Sequence, residues 1–341
     1  MTNREFTLRA PIRTFFFTCL MLVGGLITRA ACAADIVDSA GRHVQPPASI
    51  RKILPAGPPA DALLFALSPD LLAGLVEPFA GLKASAAPAA YRGLPKTPRI
   101  TGKPDETAIE ALKALHPDLI VDYGDVNADF AALADKMSET LRAPYLLLDG
   151  RIEQTPRIAR MLGAAMGRET RGEEIASAIE DALAILAPLS SLAETDRISA
   201  YYARGADGLQ AIRAKSSLSE ALTFAGARNV TPAGRGAFVT RTLAEIAEAK
   251  PDIVIVADGA AAAPDSALRR ALPASTRFFV DQGAPFSWIE NPPSINRVIG
   301  ALALAGVLYQ TRAPDARARA RKLAETLYHG ETSSAGLVEI R

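Results

Sequence analysis

The side chains best equipped for chemistry in this 341-residue chain are cations and aromatics set beside glycine or proline, not nucleophiles. Arg204 follows Tyr201-Tyr202-Ala203 and precedes Gly205. A guanidinium at the end of such an apolar run offers two parallel N–H groups to a carboxylate, phosphate or oxyanion. An ordinary surface arginine in a turn has the same signature. Trp288, the only tryptophan, lies with Phe286 in the segment 283–288 and would give a chelate or other ring-bearing molecule a flat apolar wall. Core packing would use both rings equally well. Tyr123 and Glu77 stand in further loops, and Tyr91, with Arg92, in the irregular stretch 80–101. These residues define an expected binding site.

Several chemistries are disfavoured by what is missing. The three histidines are His43, His116 and His329, widely separated, so a multi-histidine site for a bare transition ion is not supported. Both cysteines, Cys19 and Cys32, fall in or beside an N-terminal apolar segment. No Gly-x-Ser-x-Gly elbow occurs, and Gly234-Arg235-Gly236 lacks the strand-to-helix setting of a phosphate or dinucleotide loop. The expectation is a chain without a catalytic group, without a resident cofactor or metal of its own, whose ligand arrives with any metal already coordinated.

The elements that must position these residues are marked by a repeat. TAIEALKALHPDLIV at 107–121 has a second copy, TLAEIAEAKPDIVIV, at 242–256. Each reads as an amphipathic helix, a proline stop at Pro117 or Pro251, and a strand apolar on both faces, as a parallel strand covered by helices on both sides would be. Further strands are expected at 50–54, 71–76, 145–148, 198–202 and 277–280, and helices at 60–67, 126–141, 218–225, 266–272, 294–309 (capped by Ser294) and 316–328. Residues 173–186, ended by Pro188, read as one long connecting helix. The fold class is therefore α/β: two similar lobes, each a parallel sheet flanked by helices, joined by a long helix. The expected divisions are 1–34 signal peptide, 35–150 first lobe, 151–194 helical connection, 195–329 second lobe and 330–341 flexible tail.

Arg4, Arg9 and Arg13, then a short apolar run at 15–27 and Ala31-Cys32-Ala33, have the order of a cleaved secretory signal, with lipid attachment at Cys32 disfavoured. Removing four Arg and one Glu from 38 basic and 37 acidic residues leaves 34 against 36. This near-neutrality gives no electrostatic case for nucleic acid.

The ordered set DIVDSAGRHVQPPASIRKIL, GKPDETAIEALKALHPDLIV, a long helix, AKPDIVIV and NPPSINRVIGALALAGVLY resembles the periplasmic substrate-binding proteins of ABC importers, in the class for iron complexes and cobalamin. The resemblance implies a non-enzymatic monomer in the periplasm. It would hold a metal complex of the ferric siderophore, haem or corrinoid type between its lobes and deliver it to an ABC permease dimer with a cytoplasmic ATPase. It also implies a surface glutamate on each lobe for permease docking: Glu110 in the first copy, Glu245 in the second, where Ala244 holds the equivalent position. The spacings Thr107 to Glu110 and Thr242 to Glu245 equally fit helix capping boxes. A molybdate- or tungstate-type oxyanion, an exported enzyme or metal handler, and a ligand sensor are alternative outputs of such a scaffold. Ligands of open parallel sheets sit beyond the carboxyl ends of strands, which points to the loops 55–59, 77–79, 123–126, 203–207, 258–260 and 283–288.

Overall fold

The computed structural model describes residues 1–2, 35–79, 85–257, 259–290, 292–330 and 336–340. The signal-peptide expectation, with Cys19 and Cys32, lies outside them, as does Asp258. Chain contacts separate Met1–Cys32 from Ala33–Arg341. In chain order the second of these units runs β1 (Ile36–Val37), β2 (His43–Val44), β3 (Ile53–Pro55), α1 (Pro58–Leu67), α2 (Glu106–Ala114), β4 (Leu119–Gly124), α3 (Ala128–Leu141) and β5 (Tyr145–Asp149). The connection is α4 (Thr155–Ala165) and α5 (Glu169–Ser190). The chain continues with β6 (Ile198–Arg204), β7 (Gln210–Ile212), α6 (Glu220–Phe224), β8 (Ala227–Asn229), β9 (Phe238–Thr240), α7 (Leu243–Ala249), β10 (Ile253–Val256), α8 (Ala267–Ala271), β11 (Arg277–Gln282), α9 (Arg297–Leu308), α10 (Ala316–Tyr328) and β12 (Gly336–Ile340).

The repeat builds the same device twice. The residue before each proline, His116 and Lys250, leaves the right-handed helical region for φ 45°, ending α2 and α7. The aspartate after each proline then pins the neighbouring strand. Asp118 accepts from Arg51 N and Lys52 N at 2.8 and 2.9 Å, and Asp252 from Ser199 N and Ser199 Oγ at 2.8 and 2.7 Å. Strands β4 and β10 then pair in parallel with both neighbours, β3-β4-β5 in the first lobe and β6-β10-β11 in the second.

Side chains alternate between two apolar layers on each sheet. Ile120, Leu54 and Tyr145 face α3 through Met137 and Leu141; Val254, Val256 and Phe278 face the outer helices of the second lobe. The opposite faces, with Val121 and Leu148 from one lobe and Tyr202, Ile255 and Phe279 from the other, join a single core around Ile175, Ile179 and Leu186 of α5. The two-lobed parallel-sheet fold expected from the sequence is therefore present.

Several local expectations need correction. Residues 71–76 form no strand. A 3₁₀ turn at Pro69–Leu71 and isolated bridges Ile53↔Leu72 and Leu75↔Lys96 replace it, because the segment changes partner within two residues: Ala73 N donates to Ile53 O at 2.8 Å and Leu75 N to Pro95 O at 2.9 Å. Pro188 does not end the long helix: a proline in the final turn removes little of the ladder, and the Ser190 and Ser191 hydroxyls donate to Ala187 O. Ser294 is not a cap; α9 starts at Arg297 after Asn296, and Ser294 Oγ donates to Pro59 O of the first lobe at 2.6 Å. The tail expected to be flexible contributes β12, antiparallel to β11 and tied by Arg277 to Glu339 at 2.8 Å.

Candidate functional site

A cavity of about 180 Å³ lies where β4 and β5 end, closed from the other side by residues of the second lobe. The exit of β4 contributes Asp122, Tyr123, Gly124 and Asp125, that of β5 Asp149, Gly150 and Arg151, and the start of α1 Pro59. The two exits touch: Gly150 N donates to Gly124 O at 2.8 Å, and a Cβ on Gly150 would sit 2.8 Å from Gly124 Cα. From the second lobe come Ser217, Leu218, Pro293 and Arg297, and Arg99, Thr101 and Phe130 of α3 complete the lining.

Three arginines therefore meet three aspartates, and the pairing is uneven. Arg151 is held by Asp149 at 2.5 and 2.8 Å. Burial opposes ionisation of Asp149, but the bonds from Arg151 keep its carboxyl below the usual value. Arg99 donates Nε to Thr101 Oγ1 at 2.9 Å and forms no salt bridge within 4 Å among the described residues. Asp122 is 6 % exposed. Burial pushes its carboxyl up to about 6, although Tyr145 OH donates to it at 3.0 Å.

Arg297 is 1 % exposed. Its guanidinium donates to Ser294 O, Ser217 O, the Glu220 carboxylate and Gly150 O. Burial raises the Glu220 carboxyl, with Arg297 pulling the other way.

A second, smaller cavity of about 70 Å³ lies along the same boundary, with Asp61, Glu77, Phe79 and Phe286 in its walls. Pro58 and Pro292 line it, while their chain neighbours Pro59 and Pro293 line the larger one. Asp61 accepts from Val76 N and Glu77 N, both at 3.0 Å, and burial still pushes it up to about 7.

Of the residues expected from the sequence, Tyr123 lies in the wall of the larger cavity, its hydroxyl 2.8 Å from Thr155 Oγ1. Glu77 is exposed on the smaller one. Arg204 lines neither. It bonds Glu290 at 3.2 Å and Gln210 at 2.6 Å, with its guanidinium 4.0 Å from the Phe238 ring centre. Tyr91 packs edge-on to Phe65 at 5.8 Å, in an aromatic group with Phe79, Phe286, Tyr328 and His329, and Arg92 bonds nearby carbonyls.

The expectation of Trp288 as a ligand wall is corrected. It is 3 % exposed inside the main core, wedged against Gly283, Gly300 and Gly336. Arg99, Arg151 and Arg297 were not anticipated. Arg151 was within reach of the strand-end rule, since it follows β5 directly; Arg297 sits in a helix whose other residues are apolar, and only the tertiary contact reveals it.

The two glutamates of the repeat also part ways. Asp105, not Thr107, caps α2 by accepting from Ala108 N at 2.8 Å, which leaves Glu110 exposed and paired with Lys113 at 2.9 Å. Glu245 completes a capping box with Thr242 and pairs with Arg241 at 3.1 Å.

No helix among the described residues is long and apolar enough to cross a membrane. Solved structures share the fold. An ABC transporter solute binding protein from Sulfurospirillum deleyianum is 22 % identical over 88 % of this chain and 97 % of its own, with a TM-score of 0.79. The molybdate periplasmic binding protein MolA of Haemophilus influenzae, bound to molybdate, is 16 % identical over 88 % and 99 %, TM-score 0.64. The vitamin B12 binding protein BtuF of Vibrio cholerae is 15 % identical over 80 % and 99 %, TM-score 0.57. A search of curated proteins by sequence found no match. The profile of one family covers residues 63–275, more than half of the chain and including the helices that join the two sheets, and so the chain belongs to the periplasmic binding protein family.

Proposed function

We propose that this protein is the solute-capturing component of an ABC importer, which takes a compact anionic solute into the cavity at the ends of β4 and β5 and presents it to a membrane permease. The solute class is an oxyanion of the molybdate or tungstate type, or a small metal chelate with acidic donors. The observation that carries this reading is the convergence of Arg99, Arg151 and Arg297 on one cavity of about 180 Å³. Guanidinium forks are suited to such acceptors. Pockets for drug-sized ligands run to roughly 300–1,000 Å³, so the cavity favours a solute smaller than a haem, a corrinoid or a large ferric siderophore. Among the described residues no group of three or more His, Cys, Asp or Glu is placed to hold a metal ion, which favours a metal that stays with its own chelator. That a protein of the same fold is described as bound to molybdate fits the reading.

Capture is then non-enzymatic, and the site of action is the periplasm. Glu110, exposed and free of capping duty, is the stronger candidate for a permease contact, with Glu245 the weaker. The test is calorimetric titration with molybdate, tungstate, sulfate, phosphate, ferric citrate, haemin and cobalamin. A compact anion should bind with Kd in the micromolar range or below. Tight binding of haemin or cobalamin, with no response to the small anions, would overturn the choice of solute class.

A further inference from the structure

Arg297 is out of place as a helix residue. It opens α9, where the helix dipole disfavours a cation, it is the one charged residue in that helix, and it is buried. Its ion pair with Glu220 explains the placement. Arg297 donates to Gly150 O, and Glu220 Oε2, which accepts from Arg297 Nη1 at 3.0 Å, also accepts from Ile152 N at 3.1 Å. One ion pair of the second lobe thus grips the peptide groups immediately before and after Arg151. The side chain of Arg151 is otherwise 57 % exposed and, among the described residues, fastened only to its near neighbour Asp149. Burying this pair carries a desolvation cost that a simple packing role would avoid with apolar residues.

The geometry points to Glu220 and Arg297 as positioning residues that hold Arg151 at the cavity across the lobe boundary, an inference that rests on the anion-binding reading above. Glu220 acts through Arg151 and does not itself line the cavity. Arg297 does both: of its five N–H groups, three are taken by Ser294 O, Ser217 O and Glu220 of its own lobe and one by Gly150 O across the boundary, which leaves one for a bound anion.

The experiment uses Glu220→Ala, Glu220→Gln and Arg151→Ala, singly and with Glu220→Ala and Arg151→Ala combined. Hydrogen exchange of the ligand-free protein is followed at the Ile152 amide, and molybdate affinity is measured by calorimetry. Glu220→Ala should speed Ile152 exchange at least tenfold and weaken molybdate about tenfold. Glu220→Gln, which keeps an acceptor for Ile152 N, should restore most of the protection. In the Arg151→Ala background, Glu220→Ala should cost no further affinity, because it acts through the missing side chain. Unchanged exchange at Ile152, or fully additive losses of affinity, would overturn the proposal. If the wild-type protein binds no anion, the solute class fails, and the exchange measurement alone still decides whether the grip exists.

Discussion

Replacing Asp122 by Asn tests the electrostatics of the cavity most directly. The carboxyl is 6 % exposed and rises from its ordinary 3.8 to about 6 because burial disfavours the charge more than Tyr145 OH, Arg99 and Arg42 favour it. A rise of that size is worth about 3 kcal/mol. A carboxyl with a raised pKa binds its proton more tightly when folded, so its contribution is fully present below pH 3.8 and is lost as pH climbs through 6. Asn is neutral throughout and still accepts from Tyr145 OH, but its amide N–H groups cost about 1 kcal/mol if left without an acceptor.

The variant should therefore match or slightly trail the wild type at pH 4 and exceed it by about 2 kcal/mol at pH 8. Urea unfolding at pH 4, 5.5 and 8 measures this, and contributions of other groups cancel in the difference. The same substitution removes a negative charge from the cavity, so molybdate affinity at pH 7.5 should rise several-fold, with wild type and variant converging near pH 5. An equal stability difference at pH 4 and 8, or a variant that is weaker at pH 8, would refute the reasoning.

Further outcomes are expected at other contacts. Arg204→Ala leaves the buried Glu290 carboxylate without its ion partner and should cost about 1–3 kcal/mol in urea unfolding, while molybdate affinity stays within twofold; a tenfold loss would return Arg204 to the site. Glu245→Ala breaks the capping box and should lower the urea midpoint, whereas Glu110→Ala should leave the midpoint unmoved and lower solute uptake in cells if Glu110 meets the permease. Gly336→Ala must hold a left-handed φ of 66° and drive a Cβ to about 2 Å from the Trp288 ring, so a loss of about 2–4 kcal/mol is expected; an unchanged urea midpoint would show that Trp288 is not locked as described.

The local rules that survived folding were those with a local cause. Pro117 and Pro251 end their helices because the residue before a proline is forced out of the helical region. The runs 119–121 of β4 and 253–256 of β10 carry only apolar side chains, and all of them are buried. Where two causes competed, the pattern misled. Asp105 took the cap from Thr107, and this separates Glu110 from Glu245 although the two copies look alike. Residues 71–76 have the apolar content of a strand, but the segment switches from Ile53 to Pro95 and Thr97 as its partners and forms only single bridges.

The sequence by itself determined the two α/β lobes and the long connection between them, because periodicity and proline stops are properties of neighbours along the chain. Only the tertiary structure decided which side chains meet at the cavity. Arg99, Arg151 and Arg297 come from three separate segments of the chain, Trp288 was claimed by the core because Gly283 and Gly336 leave room for its ring, and Arg204 was claimed by a buried glutamate 86 positions away. Convergence of distant residues depends on how two sheets pack around one helix, and no spacing along the chain records it.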